Sequence, residues 1–185
     1  MPAWLPVWLP VALVLLVLVV ALAGLWLSWT ATRLDRMHHR IEVARANLDA
    51  QLLRRSATTL ELAATEVLDP SSRLVLLDAA HRARAADPDE RAVAESALSQ
   101  ALRAVLASPD QVRELSETDA AGLVAELAGH CARVELARRF HNDVVVSARA
   151  LRSRRRVRWL RLAGTAPSPD TVDLDDVPPG GLVGT

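Results

Sequence analysis

The chain has no lysine and no tyrosine, one phenylalanine and a single cysteine in 185 residues. A lone Cys131 excludes an internal disulfide, which fits a cytoplasmic domain better than an exported one. All 22 basic residues are arginine, and isoleucine occurs once. That is the bias of a very GC-rich genome and points to a bacterial host. Formal net charge is zero, so overall charge names no partner. No alternating β-branched run marks a strand, and there is neither a glycine-rich phosphate loop nor a nucleophile elbow. The Glu-x-x-His pairs of di-metal bundles are missing too. The five histidines are His38, His39, His81, His130 and His141. The last two share a helix at ~16 Å separation along its axis, too far for one ion. Cys131 and His141 are also too distant on that helix to form a dyad. These absences predict no metal, no cofactor and no enzyme.

Charge is missing entirely from Val11 to Trp29. As a helix this stretch measures ~28 Å, close to the ~30 Å hydrocarbon core of a bilayer. Trp4 and Trp8 precede it and Trp26 and Trp29 close it, where amphipathic rings settle at headgroup level. A cleaved signal peptide is the competing reading, with Ala21-Leu22-Ala23 as the cleavage site. No basic residue precedes the run, however, and it exceeds the usual ~7–15 apolar residues of a signal peptide. The reading is a short extracytoplasmic N-terminus (1–8) and a retained transmembrane helix (9–29). Arg33, Arg36, Arg40 and Arg45 follow the span, so the positive-inside rule puts the N-terminus outside and the remainder in the cytoplasm.

Residues 30–164 predict an all-α, antiparallel bundle with long, coiled-coil-like first and last helices. Leu34, Met37, Ile41, Ala44, Leu48, Leu52, Thr59 and Ala63 make one helix face, which should end near Asp69-Pro70. Ser71-Ser72 supplies an N-cap for a second helix to about Ala86. Asp87-Pro88-Asp89-Glu90 starts a third, to about Ala107. Ser108 to Ser116 reads as a loop, with an extra turn over Gln111–Leu115. The last helix runs from about Glu117 to Leu162, with Leu123, Leu127, Cys131, Val134, Ala137, His141, Val145 and Ala148 on one face. The long helices span ~60 and ~69 Å. Short connections then pair them antiparallel, with the middle hairpin packed distally and the last helix returning toward the bilayer.

That returning end carries Arg149, Arg152, Arg154, Arg155, Arg156, Arg158 and Arg161, with Trp159 among them. Near an anionic leaflet each basic residue gains ~1 kcal/mol, so this segment is expected to lie on lipid. A solvated helix end is the alternative. One basic stripe with one aromatic matches no nucleic-acid module, and no nucleic-acid partner is expected. Residues 165–185 hold Asp170, Asp173, Asp175 and Asp176 and no basic residue. They read as a disordered, solubilising tail. A fold-back onto the arginine run is the other option.

Two polar residues fall on apolar faces: Arg55 on the first cytoplasmic helix and His141 on the last. A buried arginine demands a carboxylate or carbonyl partner. Aligning the membrane ends of the two helices puts Arg55 near Glu135 and Leu48 near Asn142, predicting an Arg55–Glu135 contact. An arginine that snorkels off the stripe is the alternative.

Two segments resemble the LemA family of bacterial membrane proteins. Gln51-Leu-Leu-Arg54-Arg55, after Ala44-Arg-Ala-Asn-Leu-Asp49, is similar to the family's stretch on its first cytoplasmic helix. Ala137-Arg138-Arg139-Phe140-His141-Asn142-Asp143-Val144-Val145 is similar to its signature on the last. His141 stands where the family has tyrosine, and the arginine run replaces a Phe-Pro. The resemblance covers about Leu9 to Leu162 and implies a helical bundle behind an N-terminal membrane segment. It implies no catalytic activity, but rather envelope- or stress-related partner binding. The function expected is a membrane-anchored scaffold or adaptor that docks a protein partner or a second copy. The alternative is a self-assembling structural protein whose basic helix end binds lipid.

Overall fold

The computed structural model describes residues 8–153 and 169–182. Among them the regular structure is all helical. Helices α1 (Trp8–Ala64), α2 (Pro70–Ala85), α3 (Arg91–Val105), α4 (Pro109–Ser116) and α5 (Ala121–Arg152) are followed by a 3₁₀ turn, Gly180–Leu182. Residues 1–7, the Arg152 side chain, and Arg154, Arg155, Arg156, Arg158, Trp159 and Arg161 of the expected basic segment lie outside the described residues.

Helix α1 has 57 residues, or ~85 Å. After Gly24 it contains neither glycine nor proline to interrupt it. Its first third leaves the bundle with apolar side chains outward: Val11, Val14, Leu18, Leu22 and Leu25 are 52–69% exposed. The side chains of this stretch are described without a break from Pro10 to Trp26, ~25 Å of helix, and again at Ser28 and Trp29. Among the described residues, no helix is long and apolar enough to cross a membrane.

The bundle begins where α1 acquires a buried stripe, Ala44, Leu48, Leu52, Arg55, Thr59 and Leu62, at the 3–4 spacing of one helix face. Helix α5 answers with Val124, Leu127, Cys131, Val134, Ala137, His141, Val145 and Ala148. Leu62 and Ala63 join a core with Val124 and Leu127, while Leu48 and Leu52 join one with Val134 and Ala137. The two helices are therefore antiparallel. The α2–α3 hairpin closes the distal end, where Leu76, Ala80 and Ala83 meet Leu98 and Leu102. Small alanines on α2 let the helices approach closely.

Several boundaries differ from expectation, each for a local reason. Helix α1 stops at Ala64, five residues before Asp69, because Arg73 Nε donates to the Ala63 carbonyl (3.1 Å) and caps it. Helix α2 is capped by Asp69, not by Ser71 or Ser72. Its carboxylate accepts the Ser71 and Ser72 backbone N–H groups at 3.0 Å, and Pro70 takes the first helical position. The Ser71 hydroxyl donates to the same carboxylate, and together with the backbone bonds it favours the ionised form and holds the Asp69 carboxyl well below the usual carboxylate range. Ser108 to Ser116 is largely helix rather than loop: Pro109 starts α4, which buries Val112 and Leu115. Helix α5 is described to Arg152, with Ser153 as its cap; the expected continuation to Leu162 lies outside the described residues.

Arg55 does not meet Glu135. It is 1% exposed and reaches α3, where one terminal nitrogen donates to Glu95 Oε2 (2.7 Å) and the other to Ser99 Oγ (2.9 Å). Glu135 instead pairs with Arg139 along its own helix. Arg55 lies close enough to Cys131 to oppose the rise in its thiol pKa that burial causes. It is thus about a helical turn from the predicted register, on a face turned toward α3. Burial likewise pushes the Glu95 carboxyl up, against the pull of Arg55.

Candidate docking groove

The segment read as a disordered tail is ordered over residues 169–182 and lies along the bundle. It has no helix or strand before the 3₁₀ turn, so its polar backbone must be satisfied by side chains. Asn142 provides this at two points: Nδ2 donates to the Val172 carbonyl (2.9 Å), and Oδ1 accepts the Val172 N–H (2.8 Å). The Asp175 N–H donates to Ser96 Oγ (3.0 Å). The Gly181 N–H donates to the Leu106 carbonyl (3.1 Å).

The acids find arginines spaced along two helices. Arg138 grips Asp176 bidentately, Nε at 2.5 Å and a terminal nitrogen at 2.9 Å. Arg103 grips both Asp175 oxygens and also donates to the Val177 carbonyl (3.0 Å). Arg149 donates to the Pro169 carbonyl and to Asp170, both at 2.8 Å. Forked guanidinium–carboxylate pairs fix direction as well as charge. They raise the pKa of Arg103 and Arg138 and lower that of Asp175. The segment therefore runs antiparallel to α5, from Arg149 to Arg138, and then along α3 to the α3–α4 corner. Leu174 packs with Leu48, Leu52, Val134 and Ala137, and Leu182 joins the distal core. Residues 169–182 depart from the disorder expectation because Asp170, Asp175 and Asp176 meet helix arginines that, among the described residues, hydrogen-bond no carboxylate of a helix.

The motif on α5 now has a structural use. Ala137, Arg138, His141 and Asn142 all contact or pack beneath this strap. Gln51 is buried on the other flank, its Oε1 unpartnered among the described residues. It lines a surface groove with Arg133, Leu136 and Phe140. Arg54 faces solvent. Arg149, expected on lipid, is engaged by the strap. Arg103 and Ser96 escaped sequence reasoning, because an arginine and a serine on a helix are ordinary surface residues until a partner is known. No group of three metal-ligating side chains occurs among the described residues.

His141 is buried, with Nε2–H toward the Asp170 carbonyl at 3.4 Å and Nδ1 without a partner. Burial lowers its pKa, as does Arg45; the Asp170 carbonyl and Asp49 oppose this. A depressed histidine contributes stability above its ordinary value near 6.5 and loses it as pH falls through the folded value. Acidification from pH 7.5 to 5.5 should therefore lower the Tm of the wild type more than that of His141→Gln, followed by circular dichroism. Parallel Tm shifts in both would assign the acid sensitivity elsewhere.

No family model, no curated protein and no solved structure matches the chain.

Proposed function

We propose that the chain is a non-enzymatic, single-pass protein of the bacterial cell membrane. Its N-terminus lies outside, and its bundle serves as a scaffold or adaptor at the inner leaflet, in an envelope-related role. The observation that carries this is the sleeve of exposed apolar side chains on the first third of α1. In water such a surface exceeds the few hundred Å² that soluble monomers expose, and hydrocarbon removes the cost. The described stretch continues in sequence without charge to Trp29, giving the transmembrane helix 9–29. LemA-like ancestry, divergent in this chain, is part of the proposal and rests on the two motifs.

Lipid contact by the basic segment belongs to the same reading. The Ser153 N–H bonds the Arg149 carbonyl and Arg149 Nε donates to Pro169. Both flanks of the run thus meet at the end of α5 nearest the apolar segment. Anionic headgroups would take Arg154, Arg155, Arg156, Arg158, Trp159 and Arg161.

The full chain, expressed in bacteria, should stay with membranes through an alkaline carbonate wash, and a chain lacking residues 1–32 should leave them. Full-length protein in the wash would sink the anchor. A second reading, a self-assembling structural protein, is favoured by Leu136 and Phe140, exposed one turn apart on α5. Crosslinking in those membranes that yields only self-adducts would select it.

A further inference from the structure

We propose that the groove under residues 169–182 is a peptide-binding site for an extended acidic segment of a partner protein, and that the chain's own strap is its exchangeable occupant. This rests on the scaffold reading and names its partner class.

The groove reads a peptide in three ways. The Asn142 carboxamide takes one residue's N–H and C=O together, a recognition of extended backbone that is independent of side chain. Arg103 and Arg138 read adjacent carboxylates, Asp175 and Asp176. Between these, Leu48, Leu52, Val134 and Ala137 receive one aliphatic side chain, Leu174. With the strap removed, Arg103, Arg138 and Arg149 would line one face without a hydrogen-bonded carboxylate from the helices. The complementary ligand is thus acidic and extended, with apolar residues at the positions of Val172 and Leu174.

The strap also underfills its seat. A cavity of about 160 Å³ remains between residues 171–174 and Leu48, Leu52, Pro88 and Ala92. A side chain larger than valine at position 172 has room there. The rest of the fold does not depend on strap backbone, since residues 169–179 add no ladder or helix to the bundle. A tethered occupant competes at an effective concentration on the order of 1 mM, so a better-fitting segment can displace it.

The test uses the full chain in detergent and a fluorescein-labelled peptide of sequence 169–182 as probe. The variant Asp175→Asn/Asp176→Asn weakens the strap in cis, and Gly181→Ala does so independently. Either variant should bind the probe at least ten-fold tighter than wild type, and a Val172→Phe probe should bind tighter still. Adding Asn142→Ala should abolish binding, and a probe with residues 172–177 scrambled should not bind. Helical variants that ignore the probe, or bind the scrambled peptide equally, would overturn the site. Heterodimers between wild-type and strap-weakened chains in native mass spectrometry would reassign the occupant to a second copy, overturning the partner assignment. These readouts are independent of carbonate extraction, so loss of the site and loss of the anchor are distinguishable.

Discussion

Glu95→Ala is expected to destabilise the bundle by about 3–5 kcal/mol, the cost of leaving a buried charge without its counter-ion. Arg55 is sealed between α1, α3 and α5, and the Ser99 hydroxyl and Glu95 carbonyl that remain are neutral acceptors. Its Nε already lacks a partner among the described residues, so no spare acceptor is at hand. The sharper half of the prediction is the double replacement Arg55→Met/Glu95→Leu. It removes both charges while keeping roughly the same volume, and should be neutral or stabilising by about 1–4 kcal/mol relative to wild type. Urea unfolding of the full chain in detergent gives both numbers. If the double variant falls as far as Glu95→Ala, the loss comes from packing and not from charge.

Gly181→Ala should release the end of the strap. A Cβ there would sit 2.6 Å from the Leu106 carbonyl oxygen, 2.7 Å from Val112 Cγ2 and 2.9 Å from the Ser108 carbonyl oxygen. Two of those three atoms are backbone and cannot rotate aside. Overpacking of this kind costs about 1–3 kcal/mol, roughly a 5- to 150-fold shift from docked to undocked strap. The amides of Val172 and Asp175, now bonded to Asn142 and Ser96, should exchange with solvent faster by that factor. Amides in the middle of α5 should keep their protection. Unchanged exchange at Val172 would mean the segment is held without its glycine anchor.

What the sequence disclosed was the helical periodicity, because apolar stripes at 3–4 spacing have one physical outcome. The α1–α5 pairing followed from lengths and short connections. The partner of Arg55 did not follow, because aligning two helices end to end cannot say which way a side chain turns. A signal was present: Glu95, Leu98, Leu102 and Val105 share one stripe on α3, so an acid sits on an apolar face and demands a cation. Helix α4 was hidden by its proline, which ends a preceding helix but equally begins a new one. The tail was hidden by composition. Four acids with four prolines among residues 165–185 look soluble, and only long-range geometry reveals three arginines spaced to receive Asp170, Asp175 and Asp176.

The unbroken course of α1 after Gly24 has a geometric consequence. With no flexible joint between the apolar segment and the bundle, the compass direction in which the groove opens is set by helical phase. Each residue inserted between Trp29 and Met37 would swing the groove by about 100° around the helix axis and lift it ~1.5 Å. Four extra residues bring it back near its original bearing, about 6 Å higher, whereas two turn it to face the opposite way. Length and azimuth are thus written into the same few positions, and a short insertion series would dial one against the other.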